Sequence, residues 1–186
     1  MINGTQVTTG KVRLSYVYIF NPRPNDDPNA PAKYGVCLLI PKSDTQTMNE
    51  IRQACETARK DSAGKFNGKV PTSLPLPYHD GDKEKPNGGE YGPECKGMWV
   101  INASTNKKVP VVDRHKQPIT DSTELYSGCW GRAAINLGAY NSHGNRGIAC
   151  YINAIQKVAD DDPLGSSIDV NATFSALDDD DEDLGL

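Results

Sequence analysis

Long apolar runs are missing from this chain of 186 residues. None approaches the roughly 20 residues that a membrane-spanning helix needs. Met1-Ile2-Asn3-Gly4 has neither the basic start nor the apolar stretch of an export signal, so a cytosolic protein is expected. The five cysteines (Cys37, Cys55, Cys95, Cys129, Cys150) are odd in number and include no Cys-x-x-Cys pair, which argues against a disulfide framework or a zinc knuckle. Free thiols in a reducing compartment are the expectation. His79, His115 and His143 are scattered, none at ligand spacing to a cysteine, so no metal is expected and no other cofactor is implied. No Gly-rich phosphate loop, nucleophile elbow or His-Glu-x-x-His is present. Apolar residues make up only 37% while Gly (17) and Pro (13) are frequent, a mix of short elements and many turns that excludes a helical bundle.

What the chain does have is segregated charge. The net −4 conceals it: residues 160–186 hold ten of the 24 acids and none of the 20 bases, leaving residues 1–159 at +6 and the tail at −10. A basic body joined to an acidic extension points to a polyanionic ligand for the first and a separate role for the second.

Residues 7–20 alternate, with Val12, Leu14, Tyr16 and Tyr18 on one side and Lys11, Arg13 and Ser15 on the other. That period of two predicts a long strand with one wet, basic face. The proline-rich residues 21–32 read as a loop, and residues 34–40 as a more buried strand stopped by Pro41. Ser43 is the expected helix N-cap, with Gln46 as its capping-box partner and Met48, Ile51, Cys55 and Ala58 as the apolar stripe. Residues 65–97 form a long irregular excursion. Residues 98–104 resume strand character, with residues 109–112 as a short partner strand across a turn at Asn106, Lys107 and Lys108. Residues 129–140 and 148–158 read as two strands around a hairpin turn, and everything beyond Pro163 as an acidic, disordered tail. Five or so curved strands with one inserted helix predict a mainly β chain: a five-stranded Greek-key barrel of the oligonucleotide-binding (OB) type over residues 1–159, with residues 160–186 as tail. A β-sandwich is the competing shape.

The strand at 129–140 carries most of the chemistry. Trp130, Arg132, Asn136 and Tyr140 share one parity, whereas Ala133, Ile135, Leu137 and Ala139 share the other. Holding single strands without sequence preference needs cations along a backbone path and flat rings for bases, each stack contributing roughly 1–3 kcal/mol. Lys11, Arg13, Lys33, Arg132 and Arg146 are the candidate phosphate contacts, and Trp130, Tyr140 and Tyr151 the candidate stacking rings. The same aromatics could instead cap the barrel, with the cations serving solubility. In the tail, Asp178, Asp179, Asp180, Asp181, Glu182 and Asp183 end on Leu184, Gly185 and Leu186. An acidic stretch finished by apolar residues suits docking into a basic groove, on a partner or on its own body. The rival function is a magnesium-dependent nuclease using Asp82, Glu94 and Lys96 beside Asp80. The flanking Gly92, Pro93 and Gly97 make that excursion a poor platform for such a site.

Six blocks fall in order along nearly the whole chain: TTGKVRLSYVYIFNP, KYGVCLLIPKSD, LPLPYHDGD, MWVINASTNKKVPVVD, LYSGCWGRAAINLGAYN and NRGIACYINAIQKVADDDPLG. In them the chain resembles the bacteriophage single-stranded-DNA-binding proteins, formerly a domain of unknown function. The resemblance implies an OB fold, non-catalytic coating of single strands and a role in phage DNA replication or recombination in the host cytoplasm. It also implies an acidic tail that recruits replication proteins. DDDDEDLGL departs from the commoner acidic-Phe ending by offering leucine.

Overall fold

The described residues of the computed structural model, 1–23 and 29–165, form nine strands and one α-helix. In chain order these are β1 (Ile2–Asn3), β2 (Gln6–Thr8), β3 (Val12–Arg23), β4 (Lys33–Pro41), α1 (Thr45–Lys60), β5 (Tyr78–Asp80), β6 (Met98–Thr105), β7 (Val111–Val112), β8 (Trp130–Ser142) and β9 (Asn145–Ala159). Five of them close on themselves. β3 pairs with β4 and β4 with β6; β6 lies parallel to β9, β9 pairs with β8, and β8 returns to β3. This closure sets the sandwich aside and matches the five-stranded OB-type barrel with one inserted helix. β1 and β2 extend the sheet from β8, β5 adds to β6, and β7 lies on β9. The acidic tail residues 178–186 lie outside the described residues.

The inward set follows strand parity. Ala133, Ile135, Leu137 and Ala139 of β8 are all buried, opposite Ile148, Cys150, Ile152 and Ile155 of β9. Leu14, Leu38 and Ile101 complete the ring from β3, β4 and β6. Each such side chain contributes roughly 1.5–3 kcal/mol when fully buried. Helix α1 lays Met48, Ile51, Ala54, Cys55 and Ala58 against β8 and β2, as its stripe predicts. All five cysteines are free and buried, and burial pushes the thiols of Cys37 and Cys55 up to about 12, so they stay protonated.

Four local expectations are corrected. The strand expected over 7–20 breaks after Thr8, so β2 joins β8 while β3 begins at Val12. The excursion at 65–97 contains β5, which is antiparallel to β6. Residues 111–112 pair in parallel with β9 and not across a hairpin with β6. The N-cap is Asp44, whose carboxylate accepts from the Thr47 amide (3.0 Å) and the Thr47 hydroxyl (2.6 Å). Gln46, expected to close a capping box on Ser43, donates to Glu50 instead. Asp44 wins because Thr47 in turn accepts from the Gly10 amide (2.9 Å), tying the helix start to the chain between β2 and β3.

Removing that cap by Asp44→Ala should cost about 1 kcal/mol in a denaturant titration, whereas Ser43→Ala should leave stability within a few tenths. Equal losses for both would restore Ser43 as the cap.

Candidate nucleic-acid interface

On β3 the inward–outward alternation fails at one place. Ser15 pairs with Cys37, but the next pairing is Tyr18 with Gly35, so β3 carries one residue more than β4 over this step. Tyr16 sits there at φ 46, a left-handed conformation that a bulky residue adopts only when its surroundings enforce it. Beyond the bulge the parity is reversed: Ile19 is buried, while Tyr16 and Tyr18 stand 68% and 37% exposed. The reading that placed Tyr16 and Tyr18 with Val12 and Leu14 is thereby corrected. Val17 and Ile19 make the opposite parity equally apolar, so alternation alone could not reveal the flip.

The two tyrosines wall a groove of about 500 Å³ across β3, β4 and β6. Its other linings include Tyr34 and Lys33 of β4, Asn102 and Ser104 of β6, and Arg23, which pairs with Lys33 at the groove's end. Past Tyr16 it opens into a second hollow of about 540 Å³, bounded by His79, Lys85, Asn87, Tyr91 and Glu94 of the excursion. Lys85 lies 5.6 Å from the Tyr91 ring centroid. A third hollow, beside Ser127 and Leu164, again has Tyr16 in its wall. Rings, cations and amides therefore converge on one continuous surface whose centre is Tyr16.

Residues 160–165, expected in the tail, are held on the barrel as a strap. The Trp130 indole N–H donates to Asp161 Oδ2 (2.7 Å), and Lys157 pairs with Asp160 (2.8 Å). Tyr126 donates to Asp160 (2.9 Å), and Arg13 donates to the Asp162 carbonyl (2.9 Å). Gly128, at φ +117, lies directly under that carbonyl, where a Cβ would collide with it. Leu164 then packs on the small apolar cluster of Cys37, Leu39, Cys95 and Val100, and Gly165 reaches the third hollow beside Tyr16. The strap ends at Gly165, in the hollow that Tyr16 also walls.

The residues singled out from the sequence divide into three groups. Lys33 lies in the groove. Lys11, Arg13 and Trp130 come together as expected, Lys11 standing 4.9 Å over the Trp130 ring, but the strap occupies them. Arg132, Tyr140, Arg146 and Tyr151 lie on the β8–β9 hairpin, which lines none of the three hollows. There the Tyr140 ring covers Gly147 and the Tyr151 ring covers Gly138, while Arg132 donates to the Thr9 carbonyl (3.1 Å). Tyr16, Tyr18, Tyr34, Arg23, Asn102 and Tyr91 were missed by pattern reading. The nuclease alternative loses its geometry. Asp80 and Asp82 close on Lys42 Nζ (2.5 and 2.6 Å), which holds both carboxyls below their usual range, and Asp82 also accepts from the Gly97 amide. Glu94 faces the second hollow instead. Among the described residues no group of three or more His, Cys, Asp or Glu could hold a metal ion.

Comparison with known proteins follows the same line. A family model described as Enterobacter phage Enc34, ssDNA-binding protein, matches residues 5–184. The single-stranded DNA-binding protein from bacteriophage Enc34, solved in complex with ssDNA, superposes with a TM-score of 0.71 at 27% identity, covering 87% of this chain and 90% of that one. Its C-terminal truncation gives the same TM-score of 0.71 and identity of 27%, over 86% and 88%. Bacteriophage T7 gp2.5, a single-stranded DNA-binding protein, shares the fold at a TM-score of 0.61 and 16% identity, over 91% and 94%. A search of curated protein sequences finds no match.

The strap should respond to acid. The Trp130 indole holds Asp161 below its usual value of 3.8, and Lys157 does the same for Asp160. Depressed carboxylates stabilise the docked form above the unfolded-state value, and that contribution is lost as pH falls through the folded values. In a Trp99→Phe background, Trp130 fluorescence should stay constant from neutral pH down to about 4 and change below it. Asp161→Asn should abolish that transition. A transition that persists in Asp161→Asn would show that the indole senses something else.

Proposed function

The chain belongs to the family of single-stranded-DNA-binding proteins represented by that of Enterobacter phage Enc34, and on that premise we propose that it coats single-stranded DNA along the tyrosine groove. The family is one of binding proteins and not of enzymes. The observation that carries the reading is the strained bulge that turns Tyr16 and Tyr18 out beside Arg23 and Lys33. Strain of this kind costs roughly 1–3 kcal/mol and persists where a side chain must be presented for use. Tyr16, Tyr18 and Tyr34 stack bases, a contact that tolerates any sequence because every base has a π-face. Arg23, Lys33 and Lys85 meet the phosphates. The Enc34 protein solved in complex with ssDNA supports this assignment of ligand class. Arg132, Tyr140, Arg146 and Tyr151 form a second surface that would engage longer strands beyond the groove.

The division of labour is a DNA-holding barrel over residues 1–159 and an acidic segment over 160–186, whose first six residues are the strap. The tail residues Asp178, Asp179, Asp180, Asp181, Glu182, Asp183, Leu184 and Leu186 compete with DNA for the groove, tethered to the barrel through the strap. They are free to engage replication or recombination proteins once DNA displaces them. The setting is phage DNA replication or recombination in the host cytoplasm. No described helix is long and apolar enough to cross a membrane.

Tyr16→Ala and Tyr18→Ala should each weaken binding of an oligothymidine by about 1–3 kcal/mol, roughly five- to 150-fold, with little change in melting temperature. Unchanged affinity in both would remove the groove from the account. Log affinity should fall with log salt at about −0.7 per phosphate neutralised, against a flat response for a non-electrostatic site. Deleting residues 178–186 should tighten binding, most at low salt; weaker or unchanged binding counts against competition by the tail.

A further inference from the structure

Glu94 has no part in the reading above, yet it stands on the same surface. A carboxylate beside a phosphate path is unfavourable unless it meets something other than phosphate. Glu94 sits on the short turn Pro93–Cys95, half-buried, with its carboxylate folded back over Gly92 so closely that a Cβ there would collide with it. Among the described residues no lysine or arginine pairs with it, and its hydrogen-bonding neighbour is the weakly donating Cys95 thiol at 4.0 Å. The other acids of the excursion's base, Asp80 and Asp82, are by contrast consumed by Lys42. The carboxylate is thus short of donors, and Glu94 lines the hollow behind Tyr16 together with the adjoining one beside Ser127.

That hollow differs from the groove in front of Tyr16. The front is lined by Arg23 and Lys33 and by no acid. The rear brings Glu94 together with the rings of Tyr16, Tyr91 and His79, the amide of Asn102 and one cation, Lys85. Its volume of about 540 Å³ holds a nucleobase with room for water. An ionised carboxylate only accepts hydrogen bonds. Cytosine offers N4–H₂ and adenine N6–H₂, whereas thymine presents O4, an acceptor, at the exocyclic position and offers a carboxylate only its ring N3–H.

Resting on the proposal that single-stranded DNA lies in the tyrosine groove, we propose that the hollow behind Tyr16 is a base subsite in which Glu94 accepts a hydrogen bond from an exocyclic amine. The base there stacks on Tyr16, and cytosine or adenine is preferred to thymine at that one position. The other positions along the strand remain tolerant, because stacking alone serves them.

The test uses the full chain and equal-length fluorescent oligodeoxycytidine and oligothymidine, two pyrimidines that stack alike. The wild type should bind the cytidine strand about three- to tenfold tighter, the range for one partly solvated charged hydrogen bond. Glu94→Gln, whose amide can donate to O4, should bring the two affinities within about twofold, chiefly by strengthening the thymidine strand. Tyr16→Ala should weaken both strands and remove the preference. Equal wild-type affinities would overturn the subsite while leaving the groove standing. So would a Glu94→Gln gain of the same size for both strands, which would make Glu94 a repulsive charge and nothing more. If the wild type binds neither strand, the groove reading itself falls, and the subsite with it.

Discussion

The arrangement depends on one backbone irregularity. At Tyr16 a non-glycine residue is held in the left-handed region, and β3 carries an extra residue against β4. Without it Tyr16 and Tyr18 would follow Leu14 into the barrel, which is already filled by Leu38, Ile101 and Ile135. With it, the same strand supplies core on one stretch and an exposed aromatic wall on the next. The closed ring of strands makes the irregularity tolerable, since β3 is gripped by β4 along its length and by β8 near its start. Closure also curves the outward face of β3, β4 and β6, so that Lys33, Tyr34 and Asn102 line one groove with the two tyrosines.

A second constraint is electrostatic. Three aspartates that read as the start of a solvated tail are taken up by hydrogen-bond donors on the barrel: the Trp130 indole, Tyr126, Lys157 and Arg13. Such pairs at a half-exposed surface contribute little individually. Their effect lies in geometry, because together with Leu164 they fix the path of residues 160–165 along the barrel as far as the hollow beside Tyr16.

Much of the fold was legible in the residues, because the apolar run at 34–40, the alternation at 129–140 and the regular α1 stripe are strong, and turn residues bound the strands at 98–104 and 148–158. The site was less so. Trp130, Arg13 and Lys11 were read as ring and cations for DNA, and the structure sets them together against the strap, because composition cannot tell a partner in DNA from a partner in the chain's own carboxylates. Tyr140 and Tyr151 stand on the outward parity, as read, yet they cover Gly147 and Gly138 on the neighbouring strand. Tyr16 and Tyr18 were hidden by the run from Tyr16 to Phe20, which is apolar or aromatic at every position and so fits either face. A bulge leaves no trace in such a run. Asp44 displaced Ser43 as the cap through Gly10, a contact 34 residues away in sequence that local pattern cannot contain.

Photocrosslinking addresses the central claim most directly. The protein is bound to an oligothymidine carrying scattered 5-iodouracil, irradiated, digested and mapped by mass spectrometry. Adducts at Tyr16, Tyr18 or Tyr34 are the result that a groove across β3, β4 and β6 requires. Adducts confined to Tyr140 and Tyr151 on the β8–β9 hairpin, with the groove tyrosines unmodified, would contradict it.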